Sequence, residues 1–190
     1  MASELIVQTL KGPTSGANAN KILLGSGQEL YAPGHVIQVV QTVDGTKRNY
    51  SLASTFSDHS DLDTNITPLA TSSKILVRVS MTFGMDVANN AYAGFRLLRD
   101  DAVIDGAIGP SSGSRVRVSG AAGETGNSNA NMQNVVLEYL DSPSSTSQLT
   151  YSVQVTGYDS RTFTVNATGS GDSTSGRICV SSMTLMEIAG

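Results

Sequence analysis

Alternation of apolar and polar positions is longest and most regular between Ser72 and Phe83. There Ile75, Val77, Val79, Met81 and Phe83 fall on every second residue, with Arg78, Ser80 and Thr82 between them. A helix would scatter these five side chains around its axis, whereas a strand puts them on one face. The stretch is predicted as the central strand of a sheet. Upstream, His35 to Val43 carries Val36-Ile37 and Val39-Val40, apolar on both faces, which predicts burial on both sides. Asp44-Gly45 is a tight-turn dipeptide, after which Tyr50, Leu52 and Phe56 alternate, then Leu62, Thr64 and Ile66 up to Pro68.

Downstream, Ala93, Phe95 and Leu97 share a face, as do Val135, Leu137 and Tyr139, and then Leu149, Tyr151, Val153 and Val155. Phe163 and Val165 follow a turn at Gly157, and a further strand is predicted from Ile178 to Ile188. No segment has the three-and-four spacing and caps of a long helix. Seven or more strands at near-regular spacing predict an all-β sandwich, jelly roll or barrel. Between Asp105 and Asn131 the alternation disappears into Gly, Ser, Ala and Asn, a stretch longer than ordinary loops and therefore a functional excursion or a mobile segment. Val116 and Val118, flanked by Arg115 and Arg117, are the candidates for one short strand inside it. A second loop spans Asn166 to Gly176.

Near the N-terminus two short apolar runs, Leu5-Ile6-Val7 and Ile22-Leu23-Leu24, stop at Lys11-Gly12-Pro13 and Gly25-Ser26-Gly27. Each is too short and one-sided to form a core. They predict an extension, residues 1–34, that pairs with the main domain or with neighbouring copies. Ala32-Pro33-Gly34 marks the boundary, and residues 35–190 form the main domain.

Composition narrows the function classes. At 190 residues the chain suffices for one domain with a real core. The net charge is −4 and the charges are interspersed, so no basic stripe exists to displace phosphate counterions, and no nucleic-acid partner is expected. No apolar run approaches the roughly 20 residues of a membrane helix, and no basic-then-apolar leader opens the chain; a soluble protein made without a secretory signal is predicted. Cys179 is the single cysteine, which excludes an intrachain disulfide and a thiolate-rich metal site. Its setting, Ile178-Cys179-Val180, predicts a small buried side chain.

Four groups of residues invite chemical readings. Gly109-Pro110-Ser111-Ser112-Gly113 has the letters of a nucleophile elbow, but a proline occupies the turn and both histidines, His35 and His59, precede the serine. No catalytic residue and no cofactor are expected. Asp58, His59, Asp61, Asp63 and Asn65 form the densest set of potential hard-cation ligands. The sixth and twelfth positions from Asp61 hold Ile66 and Ser72, where a calcium loop of the helix-loop-helix kind needs glycine and glutamate, and a solvated strand face is expected instead. Arg115 and Arg117, two apart, would point the same way if locally extended and could grip an acidic sugar or a phosphate; they are the candidate surface-contact residues. Asn49-Tyr50-Ser51, Asn65-Ile66-Thr67 and Asn166-Ala167-Thr168 match a glycosylation pattern that matters only in a secreted eukaryotic protein.

Three pieces in order carry a family resemblance: Ser26-Gly27-Gln28-Glu29-Leu30-Tyr31-Ala32-Pro33-Gly34-His35-Val36-Ile37-Gln38-Val39; Asp61-Leu62 through Ile66-Thr67-Pro68 into Ser73-Lys74-Ile75-Leu76-Val77; and Ser181-Ser182-Met183-Thr184-Leu185-Met186-Glu187-Ile188. Together they resemble the small virion structural and tail-fibre-like proteins of tailed bacteriophages, particularly those of marine cyanobacteria. Phe95-Arg96-Leu97-Leu98-Arg99, and Leu140-Asp141-Ser142-Pro143 through Thr150-Tyr151-Ser152-Val153, fit the same pattern. The resemblance implies an antiparallel jelly roll of the tumour-necrosis-factor and complement type and a homotrimer. It also implies an N-terminal arm that anchors to other virion proteins of tail or capsid, a virion location, and surface loops that contact host glycans. Fibre tip and capsid-surface decoration both stay open. The alternative on the same fold is a lectin-like or cytokine-like binding module outside a virion.

Overall fold

The computed structural model describes residues 8, 11–17, 19, 24–25, 32–52, 55–85, 91–124, 131–157, 161–169, 174 and 176–190. The chain divides into two compact units, Met1–Ala32 and Pro33–Gly190. In the first, a turn is closed by the Ala19 amide donating to the Gly16 carbonyl at 3.1 Å. The runs Leu5-Ile6-Val7 and Ile22-Leu23 lie outside the described residues.

The second unit is built from twelve strands: β1 (Val36–Asp44), β2 (Arg48–Leu52), β3 (Ser57–Asp58), β4 (Thr64–Ile66), β5 (Lys74–Met85), β6 (Ala91–Arg99), β7 (Ala102–Val103), β8 (Gly120–Glu124), β9 (Met132–Asp141), β10 (Leu149–Gly157), β11 (Arg161–Val165) and β12 (Ser181–Ile188). They make two six-stranded antiparallel sheets. The predicted central strand is β5: β9 pairs along one edge, while β12 and then β11 share the other. β1 pairs with β12, and β2 with β11. In the second sheet β10 and β6 lie at the centre, with the short β3 and β4 outside β10 and the short β7 and β8 outside β6.

With each pair of short strands treated as one column, the first sheet reads β1-β12-β5-β9 and the second β3/β4-β10-β6-β7/β8. In chain order these are the first, eighth, third and sixth columns, then the second, seventh, fourth and fifth. That order is a jelly roll, two Greek keys wrapped into a sandwich. β2 and β11 extend the first sheet as an extra hairpin-like tier beside the end of β5.

The core lies between the sheets and follows the alternation. Ile75, Val77, Val79, Met81 and Phe83 are fully buried, facing Phe95, Leu97, Tyr151 and Val153 of the second sheet. Phe83 is at the centre of an aromatic group, with ring centroids 5.3 Å from Phe95 and 4.6 Å from Phe163, in the tilted contacts such rings prefer.

Four stretches depart from the sequence expectation; one is the closing strand, predicted from Ile178, which begins only at Ser181 and leaves Ile178 and Val180 exposed ahead of it. Leu62 belongs to a 3-10 turn, Ser60–Leu62, and the strand begins only at Thr64, because Asp61 turns outward to pair with Arg48. Val116 and Val118 do not form a strand; the short strand of that excursion is β8, and Val118 packs on β6 at Gly94. Both faces of β1 were expected to be covered, yet Val39 and Val43 are exposed, since nothing within the described chain lies over that side.

Gly84, near the end of β5, is where the segment 167–169 crosses the sheet. A Cβ there would sit 2.8 Å from the Ala167 carbonyl oxygen, the Gly169 nitrogen and the Thr168 Cα, all backbone atoms without freedom to retreat. Gly84→Ala is expected to lower unfolding free energy by about 1–3 kcal/mol in urea titrations, the range for overpacking. An unchanged midpoint would show that this segment does not rest on β5.

Candidate functional site

Two buried polar clusters tie the sheets together. In one, Asp141 at the end of β9 accepts hydrogen bonds from Tyr151 of β10 and Arg99 of β6. Burial raises the Tyr151 phenol far above its ordinary value, and its hydrogen bond to the Asp141 carboxylate adds to the rise. For Arg99, burial acts downward, but the Asp141 carboxylate outweighs it and the guanidinium is held above its usual value.

The second cluster centres on His59, which is fully buried just after β3. Its backbone amide donates to the Val153 carbonyl at 2.9 Å, fixing it to the second sheet, while its ring reaches the first. Nδ1 lies 2.5 Å from the Tyr50 hydroxyl and Nε2 lies 3.4 Å from Asp44 Oδ2. The neutral ring suits this setting, with Nδ1 accepting from Tyr50, while Nε2 faces Asp44 without forming a hydrogen bond. Burial holds the imidazole below its ordinary value, against the opposing pull of Asp44. Asn166 completes the arrangement from a left-handed backbone position, φ +63. Its amide nitrogen donates to Asp44 Oδ2 at 2.8 Å and to the Asp44 carbonyl at 3.0 Å, and its Oδ1 accepts from Ser181 at 2.6 Å.

The sequence places His59 on a solvated strand face, within a set of potential cation ligands, and Asn166 in a glycosylation pattern, whereas both side chains are fully buried. Their role is structural instead: His59 joins the sheets, and Asn166 is fully buried and bonded on both sides of its amide. The Asp44-Gly45 turn was the available signal, since its carboxylate must find a partner once the turn is folded inward.

The remaining candidates are dispersed. Asp61 pairs with Arg48, Asp58 accepts from Gln154, and Asn65 accepts from Thr150. Among the described residues no group of three or more His, Cys, Asp or Glu side chains could hold a metal ion. Arg115 is exposed and donates to Ser112 of its own turn. Arg117 donates to the Gly109 carbonyl at 2.6 Å and to Asp105 at 2.8 Å, so both arginines brace the excursion on which they sit. Ser111 is exposed on an irregular loop rather than a strand-to-helix turn. Cys179, predicted as a buried side chain, is only half-buried, because it precedes β12 between the exposed Ile178 and Val180; its sulfur lies 3.9 Å from Met132.

The surface of the first sheet is the other notable feature. Registers across it place Val39, Met186, Leu76 and Leu140 in one continuous outward row, and Val43, Ser182, Ser80 and Val136 in another. Val39, Val43, Val136 and Leu140 are all exposed. The outward positions of the second sheet are polar where β10 meets its neighbours: Thr150, Ser152 and Gln154, with Arg96 alongside.

No protein-family model and no curated protein matches the chain. Among solved structures it is similar to that of the infectious bursal disease virus Gt strain, at 10% identity and TM-score 0.40, over 95% of this chain and 50% of that one. It is also similar to the VP2 subviral particle of the same virus, at 12% identity and TM-score 0.40, over 94% of this chain and 41% of that one. The chain spans half or less of these structures. A likeness this distant decides neither the strand order, which follows from the registers above, nor the role.

Proposed function

We propose that this chain is a non-enzymatic virion structural protein that works as a homotrimer on the particle, as a fibre tip or a surface decoration. The observation that carries the reading is the outer face of the first sheet, where the apolar rows through Val39 and Leu140 and through Val43 and Val136 lie exposed; the outer face of the second sheet is polar along β10 and carries exposed Tyr92 and Val116 at its β6 side. Rows of exposed aliphatic side chains on a sheet already complete on its inner side suit burial against other chains. The family resemblance supplies the kind of assembly and the setting. In this reading residues 1–34 act as the arm that engages tail or capsid proteins, and the loops contact host-surface glycans, weak contacts that avidity multiplies.

Sedimentation of the purified protein checks the assembly. A trimer is expected for the parent chain and a monomer for Leu140→Arg, with little change in unfolding midpoint because Leu140 is 44% exposed in the single chain. A parent protein that stays monomeric at micromolar concentration would overturn the trimer. Mass spectrometry of purified particles tests the setting: peptides of this chain are expected there, and their absence from every assembled particle would defeat the virion role.

A further inference from the structure

Where β2 leaves the first sheet and β3 borders the second, the surface carries an open depression of about 370 Å³ lined by exposed side chains and the half-buried Tyr50. Among the described residues its walls are Lys47, Arg48, Asn49, Tyr50, Asp58 and Ser60, none of them aliphatic. Binding cavities of this size are ordinarily mostly apolar, with a few polar groups for orientation. A lining this polar offers little to an acyl chain and suits a ligand studded with hydroxyls.

Most of the wall is held in place from behind. Tyr50 is fixed by the fully buried His59, Arg48 by its pairing with Asp61, and Asp58 by Gln154, whose own carbonyl is held by Arg96. The Asn49 side chain is turned to the opposite face of β2, where its Oδ1 accepts from Thr164 at 3.0 Å. With Arg48 matched by Asp61, the charges that remain for a ligand among the described wall residues are the Lys47 ammonium and the Asp58 carboxylate. A hydroxyl at Ser60 and the edge of the Tyr50 ring complete the set.

We infer that this depression is a subsite for an acidic sugar, a pyranose bearing a carboxylate. Lys47 takes the sugar carboxylate, the second oxygen of Asp58 accepts from ring hydroxyls, Ser60 donates to a remaining oxygen, and the edge of the Tyr50 ring borders the sugar. The inference deepens the glycan contact proposed above and moves it from the Arg115 and Arg117 loop, whose guanidiniums are already engaged, to the gap between β2 and β3.

Ligand-observed NMR on the purified full chain tests it, with glucuronic acid as the probe and glucose and acetate as comparisons. Glucuronic acid is expected to bind and to be displaced by neither comparison at equal concentration. Lys47→Gln is expected to weaken binding about tenfold or more, Lys47→Arg to restore most of it, and Asp58→Asn to weaken it as well. Unfolding midpoints, measured in parallel, are expected to stay near the parent value for the Lys47 variants. No glucuronic acid signal, equal binding of glucose or acetate, or indifference to Lys47→Gln would each overturn the assignment. Because the assay uses isolated protein, its failure leaves the virion reading intact, and absence of the chain from particles leaves the subsite intact.

Discussion

Replacing Phe83 with alanine is expected to lower the unfolding free energy by about 3–5 kcal/mol, the range for removing a buried aromatic ring. The site has little means of collapsing around the void. Phe83 belongs to β5, which is paired on both edges, and its ring is flanked by Phe95 from the opposite sheet and Phe163 from the adjoining strand. Phe83→Leu keeps most of the volume and is expected to cost far less. Guanidinium titrations followed by tyrosine fluorescence would measure both. A loss below 1 kcal/mol for the alanine variant would mean that the core is centred elsewhere.

Acid is expected to weaken the domain through His59. The native imidazole binds its proton less readily than in the unfolded chain, because burial outweighs the Asp44 carboxylate. The unfolded state therefore holds more protons once the pH drops below about 6.5, and stability falls from there until the lowered native value is passed. His59→Gln removes that slope at the cost of a lower plateau near neutrality. Asp63 acts in the opposite sense at lower pH: burial, then Asp58 and Asp101, hold its carboxyl above the usual value, so its protonation favours the native state. Urea midpoints between pH 8 and pH 4 for parent and His59→Gln would separate the two effects. Parallel curves would show that His59 titrates alike in both states.

Much of the architecture was written in period-two alternation, and β5, β9, β10 and β12 follow it because one face of each is core. Misreadings arose where burial depends on something other than a strand's own pattern. Val39 and Val43 share a strand with half-buried neighbours such as Val40, and sequence cannot say whether their side is covered. β8 was missed because Gly120, Ala121 and Ala122 carry no apolar alternation. Leu137 presses so closely on Gly120 that a larger side chain would not fit, and smallness is the requirement there. The polar cluster was illegible for a different reason. Asp44, His59, Asn166 and Ser181 are far apart in the chain, and their meeting follows from β1 pairing with β12 and the 3-10 turn folding against β10.

Residues at opposite ends of the domain, Val36 and Ile188, are register partners, and β5 acquires every one of its neighbours from later in the chain. During synthesis the middle of the first sheet must wait, bare-edged, until β9, β11 and β12 have left the ribosome. Such long-range closure is slow, and the waiting strands are those most able to pair with the wrong chain. Crowded expression should therefore punish this protein before folding is finished, and a slower rate of synthesis or a cooler host should recover more of it than any change to the finished fold.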